Sequence, residues 1–245
     1  MIHLGCAGWS VPRLHAEHFP QQGTQLQRYA ARLNAVEINS SFYRAHQPKT
    51  YTRWAASVPE HFRFSVKLPK AITHEKRLLG CTALLEQFLD ECGQLGDRLG
   101  CLLVQLPPSL AFDLEVADRF FTRLRKNYDG WLAVEPRHPT WAIAQSLLVD
   151  LQVAQVAASP SRFGMDAQPG GWPGLVYWRL HGEPQIYRSA YGRDYLQRLA
   201  AQLQQREDAQ QPAWCIFDNT ASGAALGDAL ATEALLHGRA AVYPA

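Results

Sequence analysis

Leu132-Ala133-Val134-Glu135-Pro136-Arg137-His138 is a short apolar run that ends on charge, and the same design recurs along the chain. Ala35-Val36-Glu37-Ile38-Asn39 carries a carboxylate near its end, Phe64-Ser65-Val66-Lys67 an ammonium, and Val176-Tyr177-Trp178-Arg179-Leu180-His181 a guanidinium and an imidazole. Apolar runs of this length bounded by turn residues read as strands buried on both faces, the habit of parallel sheets. An unpaired ion in an apolar interior costs several kcal/mol, so charges recurring at strand ends need one another, a ligand, or water in a shared cavity.

Strand-like runs occur at Ile2–Trp9, Ala35–Tyr43, Arg63–Pro69, Cys101–Leu106, Trp131–Glu135, Ala154–Ala158, Leu175–His181 and Ala213–Asp218. Between them lie helical patterns. Thr24–Leu33 places Leu26, Tyr29, Ala30 and Leu33 on one face, Leu79–Leu95 repeats the spacing, and Asp113–Tyr128 opens on a residue suited to an N-cap. Tyr191–Gln205 and Gly223–Leu236 complete the series. Eight alternating strands and helices predict an α/β fold, a single (β/α)8 TIM-type barrel over residues 1–245, in preference to an open doubly wound sheet. Two long connections, Pro69–Leu78 and Ser159–Gly174, follow strands and so belong to the C-terminal mouth, where barrel enzymes build their sites.

A 47% hydrophobic content and a net charge of only +2 give a globular chain with a large core and no basic stripe, so a nucleic-acid partner has weak support. The five cysteines, Cys6, Cys81, Cys92, Cys101 and Cys215, show no C-x-x-C pairing and read as core filler in a cytoplasmic protein with reduced thiols. No apolar run approaches the roughly 18 residues of a membrane span. Walker, G-x-G-x-x-G and G-x-S-x-G patterns are absent, so no cofactor is expected.

Side chains alternate along a strand, which puts Glu37 with Asn39, Ser65 with Lys67, Glu135 with Arg137, and Tyr177 with Arg179 and His181. In a barrel the outer face meets apolar helices, so these polar sets are expected to point inward and converge at the mouth with Gln105 and Asn219. The bland alternative pairs Glu37 with Lys67, and Glu135 with Arg137 or Arg179, as buried ion pairs without chemistry. His74 on the loop after the third strand is a further acid/base candidate, and Tyr43, Trp141 and Tyr187 are candidates for a pocket wall.

Read together, Gly5-Cys6-Ala7-Gly8-Trp9-Ser10, Val36-Glu37-Ile38-Asn39-Ser40-Ser41-Phe42-Tyr43, Phe64-Ser65-Val66-Lys67 with Ile72-Thr73-His74, Gln105-Leu106-Pro107-Pro108, Val134-Glu135-Pro136-Arg137-His138 with Trp141, Arg179-Leu180-His181-Gly182 and Phe217-Asp218-Asn219-Thr220 run in an order that resembles the YecE-like family, a TIM-barrel group known as domain of unknown function 72. The resemblance implies the barrel and stops there, because the family has no settled activity. It also implies Asn at the step before Asn219, so Asp218 is a departure that adds a carboxylate.

The leading expectation is metal-independent acid/base chemistry on a small anionic substrate, a phosphorylated sugar or nucleotide-like molecule. Glu37 and Glu135 transfer protons, Lys67 tunes one of them, and Arg137, Arg179 and His181 hold the anion. Asn39, Tyr43, His74, Gln105, Trp141, Tyr187 and Asn219 line the pocket. Two alternatives are a divalent-metal hydrolase or isomerase using Glu37, Glu135, His181 and Asp218, and a non-catalytic module binding a nucleotide, a nucleic-acid end or a partner.

Overall fold

The computed structural model describes residues 1–161 and 168–238. Local signals set the helices. Asp113 Oδ1 accepts from the Val116 amide at 3.0 Å and starts Leu114–Asn127, whose Ala117, Phe120, Phe121 and Leu124 form the buried face. Thr24 and Gln27 exchange the two bonds of a capping box at the start of Gln25–Ala30. The remaining helices are Pro48–Ala56, Thr82–Cys92, Gln145–Asp150, Arg193–Asp208 and Ala224–Leu236. Of these, Pro48–Ala56 and Gln145–Asp150 carry no long apolar period and escape the sequence pattern.

The strands are β1 (Ile2–Ala7), β2 (Ala35–Ile38), β3 (Arg63–Lys67), β4 (Leu99–Gln105), β5 (Trp131–Glu135), β6 (Val153–Gln155), β7 (Ala157–Ser159), β8 (Gly170–Gly171), β9 (Val176–Leu180) and β10 (Ala213–Phe217). They form one sheet in the order β7-β9-β10-β1-β2-β3-β4-β5-β6-β8, parallel except for the short β6–β8 pairing. Its two ends meet within a single run of chain. β6 pairs with β5 and β7 pairs with β9, and the residue between them, Val156, donates its amide to Val134. The expected sixth strand, Ala154–Ala158, is therefore split at Val156 as it passes from one neighbour to the other, and this passage brings the sheet into the expected barrel.

Most other strands stop earlier than their apolar runs. β1 ends before Gly8, whose φ of +96° turns the chain away, and β2 ends where Asn39 leads into a short 3-10 turn, Ser40–Phe42. Residues 162–167 of the expected Ser159–Gly174 connection lie outside the described residues; among the described ones the connection contributes β8 and no helix.

Two cores result. One fills the space between strands and helices and holds Leu4, Val36, Val66, Leu102 and Phe217; the other lies inside the barrel and holds Ala35, Leu103, Ala133, Tyr177 and Trp214. At the N-terminal end of the inner core His3 stacks on Trp214 at 4.6 Å. Burial, aided by Arg63 and the chain's amino group, drops its pKa to about 4, so a neutral ring closes that end.

Candidate functional site

Arg179 fixes the geometry of the opposite end. From β9 it reaches Glu37 on β2 and Glu135 on β5, neither of which borders β9 in the sheet, so all three side chains lie inside the ring. The guanidinium is fully buried. Its Nε and Nη2 grip Glu37 at 3.0 and 2.8 Å, Nη1 donates to Glu135 Oε2 at 3.1 Å, and Nη2 also meets Asp218 Oδ2 at 3.0 Å. This is the bidentate geometry in which a planar guanidinium best holds carboxylates. Two residues back along β9, the Tyr177 hydroxyl faces Glu37 Oε2 at 3.1 Å and Ser65 Oγ at 3.0 Å.

Glu135 is the second hub. Besides Arg179 it receives Arg137 Nε at 2.8 Å and Gln105 Nε2 at 3.2 Å on each oxygen. Burial alone would raise its pKa; Arg179, His181 and Arg137 override this and hold it well below the usual carboxylate range. Asp218 follows the same logic, with Arg179 and His181 overcoming burial. Desolvation works against the charge on Arg179, but Asp218, Glu37 and Glu135 together raise its pKa well above the ordinary value.

His181, the residue after β9, joins the hubs. Its Nδ1 lies 2.9 Å from Asp218 Oδ2, and its Nε2 has Glu135 Oε1 at 3.2 Å and Arg137 Nη2 at 3.4 Å. A protonated Nε2 donates to the carboxylate, and an unprotonated one accepts from the guanidinium. The ring thus has a partner in either state.

Lys67 differs from every other ion in the cluster. It is only 5% exposed, yet no carboxylate among the described residues lies within 4 Å of its nitrogen, which sits 4.0 Å from the centre of the Phe42 ring. Burial and the Arg179 charge lower its pKa to about 8 against the pull of Glu37, Glu135 and Asp218. Of the ion pairs in the alternative without chemistry, Glu135 with Arg137 and Arg179 forms, but Glu37 with Lys67 does not, because Arg179 and Tyr177 take up the Glu37 oxygens.

The other expected residues divide. Gln105 and Arg137 join the cluster through Glu135. Tyr187 lies edge-on to His181 at 5.6 Å, and His74 lies edge-on to Phe42 at 4.9 Å with Nδ1 on Thr73 Oγ1. Asn39 is half-buried with its Oδ1 unpartnered, and Tyr43 is exposed on the rim against Phe42. Trp141 is not a pocket wall: it is 1% exposed in the outer core, its indole donates to the Leu110 carbonyl, and its ring lies against Phe112. Asn219 is fully buried and its amide nitrogen ties Ser189 O to Asp228 Oδ2, so it fastens loops together. Tyr177 and Ser65 join the mouth without an expected role, and Phe42 is not among the expected site residues. Strand parity already placed the first two beside Arg179 and Lys67, but an apolar-looking ring such as Phe42 carries no mark in sequence.

Among the described residues no three His, Cys, Asp or Glu side chains are arranged to hold a metal ion, and no helix is long and apolar enough to cross a membrane.

Comparisons with known proteins agree with this architecture. Residues 3–244 match the family described as "Protein of unknown function DUF72". The chain is similar to the UPF0759 protein YecE of Escherichia coli strain K12, with 32% identity over 141 residues, 57% of this chain and 49% of that protein. It is also similar to the UPF0759 protein YunF of Bacillus subtilis strain 168, with 27% identity over 152 residues, 58% of this chain and 52% of that protein. The matches thus span about half the length of these curated relatives. Two solved structures share the fold. A DUF72 family protein from Enterococcus faecalis V583 superposes with a TM-score of 0.78 at 22% identity, covering 97% of this chain and 98% of its own. One from Thermotoga maritima MSB8 gives 0.76 at 23%, covering 97% and 99%. With nearly its whole length matched, the chain belongs to the DUF72 family.

Proposed function

We propose that this protein is an enzyme that moves protons at the C-terminal mouth of its barrel, without a metal, on a small anionic substrate of the phosphorylated-sugar or nucleotide-like class. The observation that carries this reading is His181, whose Nε2 has both a carboxylate and a guanidinium within reach while Asp218 orients the other ring nitrogen. A ring that can change protonation state without losing its partners suits a general acid and base. Glu37 and Glu135 are assigned to holding the cations, because each is clamped by Arg179 and Glu135 keeps its charge far into the acid range. Each carboxylate a divalent metal would draw on already gives at least one oxygen to the same guanidinium.

One unengaged cation supports an anionic substrate. Glu37, Glu135 and Asp218 are matched by Arg137, Arg179 and Lys67, and among these Lys67 is the cation that no described carboxylate engages directly. A substrate phosphate or carboxylate would give it a counter-ion. The five free thiols support a reducing, cytoplasmic compartment.

The test is a panel of phosphorylated sugars and nucleotides incubated in heavy water and followed by proton and phosphorus NMR, where solvent deuterium in the product reports proton transfer. With an active compound in hand, His181→Gln is expected to lower turnover by about 10²–10⁴-fold with folding intact. Unchanged turnover would remove His181 from the mechanism.

A further inference from the structure

Lys67 is buried inside the mouth, stands on the Phe42 ring, and has no anionic partner within 4 Å among the described residues. A lysine meant only to neutralise carboxylates would lie against one. Three carboxylates sit in the same mouth, and Arg179 holds all of them away from it. The ammonium keeps solvent contact at its tip, since it is not among the enclosed, unpartnered polar atoms of the interior. A buried, accessible and uncommitted amine is the arrangement used for covalent chemistry at carbonyl carbon.

We propose that Lys67 is a carbonyl-reactive amine that forms a Schiff base, which makes the substrate an aldehyde or a ketone. This deepens the acid/base reading and rests on the mouth being the active site. In the step itself, the ammonium first gives up a proton, and the Nζ lone pair then adds to the carbonyl carbon while the C=O π pair moves to oxygen. Two protons from the original ammonium leave with that oxygen as water, and the C=N bond forms as protonated imine with the third proton on nitrogen. Ammonium plus carbonyl thus gives iminium plus water, with no oxidant or co-reactant. The iminium withdraws electrons from the adjacent carbon, the place at which a proton-transfer group such as His181 becomes useful.

The surroundings favour reactivity near neutral pH. Arg179 on β9 adds to desolvation in disfavouring the ammonium, Glu37, Glu135 and Asp218 oppose them, and the pKa settles at about 8. On the turn after β3, His74 faces the same cations: burial, Lys67 and Arg137 lower its pKa against Glu75, so it opposes a charge on the amine no more than an ordinary imidazole does. At pH 7 about a tenth of Lys67 carries a free lone pair, against about one in three thousand for an ordinary lysine.

The experiment needs no cognate substrate. The whole protein is treated with limiting glycolaldehyde and cyanoborohydride, which reduces an imine in place, and the alkylated lysines are mapped by peptide mass spectrometry. The chain has five lysines, and Lys49, Lys70, Lys76 and Lys126 are all exposed, so they serve as internal references. Lys67 is expected to label at least tenfold faster than their mean at pH 7, with the excess shrinking as the pH rises toward 10, and Lys67→Arg is expected to lose the fast site. Labelling of Lys67 at or below the exposed lysines at pH 7, or an excess that does not change with pH, overturns the proposal. Proton transfer in the NMR assay alongside failed labelling would sink the Schiff base alone, whereas labelling without proton transfer would sink the His181 assignment alone.

Discussion

Replacing Lys67 by Met is expected to stabilise the fold while abolishing whatever Lys67 does. The pKa of Lys67 falls from an ordinary 10.5 to about 8, chiefly because the buried ammonium is poorly solvated. At about 1.4 kcal/mol per pH unit this corresponds to about 3 kcal/mol of folding free energy lost to keeping the charge inside. Met has a similar unbranched stem and carries no charge, but it gives up the attraction between the ammonium and Phe42, worth about 1 kcal/mol. A net gain of about 2 kcal/mol follows, or a rise of about 4–8 °C in Tm for a chain of this size. Urea unfolding of both proteins at a series of pH values is the assay. Between pH 8 and 10.5 the unfolded chain holds a proton on Lys67 that the folded chain has released, so this site stabilises the wild type progressively as pH rises. Below pH 8 the penalty is complete. The gap between Lys67→Met and wild type should therefore be widest at pH 7 and close toward pH 10.5. If the variant is instead less stable than wild type at pH 7 by 1 kcal/mol or more, the ammonium is held favourably by Glu37, Glu135 and Asp218, and the picture of an uncommitted amine is wrong.

Arg179→Met should do the opposite, since it strands three buried carboxylates; a loss of about 3–5 kcal/mol or failure to fold is expected, and near-wild-type urea stability would show that the cluster is not held by this guanidinium. Asp228 gives a second pH test. Burial pushes its pKa from 3.8 up to about 6, against the bonds from Asn219 and the Tyr191 amide. The folded chain binds this proton more tightly than the unfolded one, so the stabilisation is full below about pH 3.8 and is lost as pH rises through 6, about 3 kcal/mol in all. Asp228→Asn should then match wild type near pH 4 and exceed it by about 1–3 kcal/mol at pH 7–8 in thermal melts. A pH-independent difference between the two would count against ionisation of Asp228 as the cause.

The convergence of the charged side chains at the candidate site was legible in sequence because strand parity is strict. Once Val134–His138 and Val176–His181 are read as strands, Glu135 with Arg137 and Arg179 with His181 must share a face, and apolar helices outside a barrel send that face inward. The roles were less legible. The expected proton carriers, Glu37 and Glu135, are each clamped by Arg179, and Lys67, expected to tune one of them, is left without a carboxylate against it. Trp141 shows the limit for single residues: an aromatic after a strand reads as pocket wall until the Leu110 carbonyl and Phe112 are found around it.

By itself the sequence determined what depends on periodicity. The alternation of apolar runs and amphipathic stretches set the eight-run order, Asp113 marked a helix start, and a two-residue repeat set which charges face inward together. Only the tertiary structure decided what depends on distance across the ring. It closed the barrel by passing Val153–Ser159 from β5 to β9, placed Arg179 between carboxylates of strands far apart in the chain, gave His181 a partner for each protonation state, and left Lys67 on Phe42. The reason is physical: side-chain parity is a property of one strand, whereas an ion pair inside a barrel depends on which strands the closed ring brings face to face.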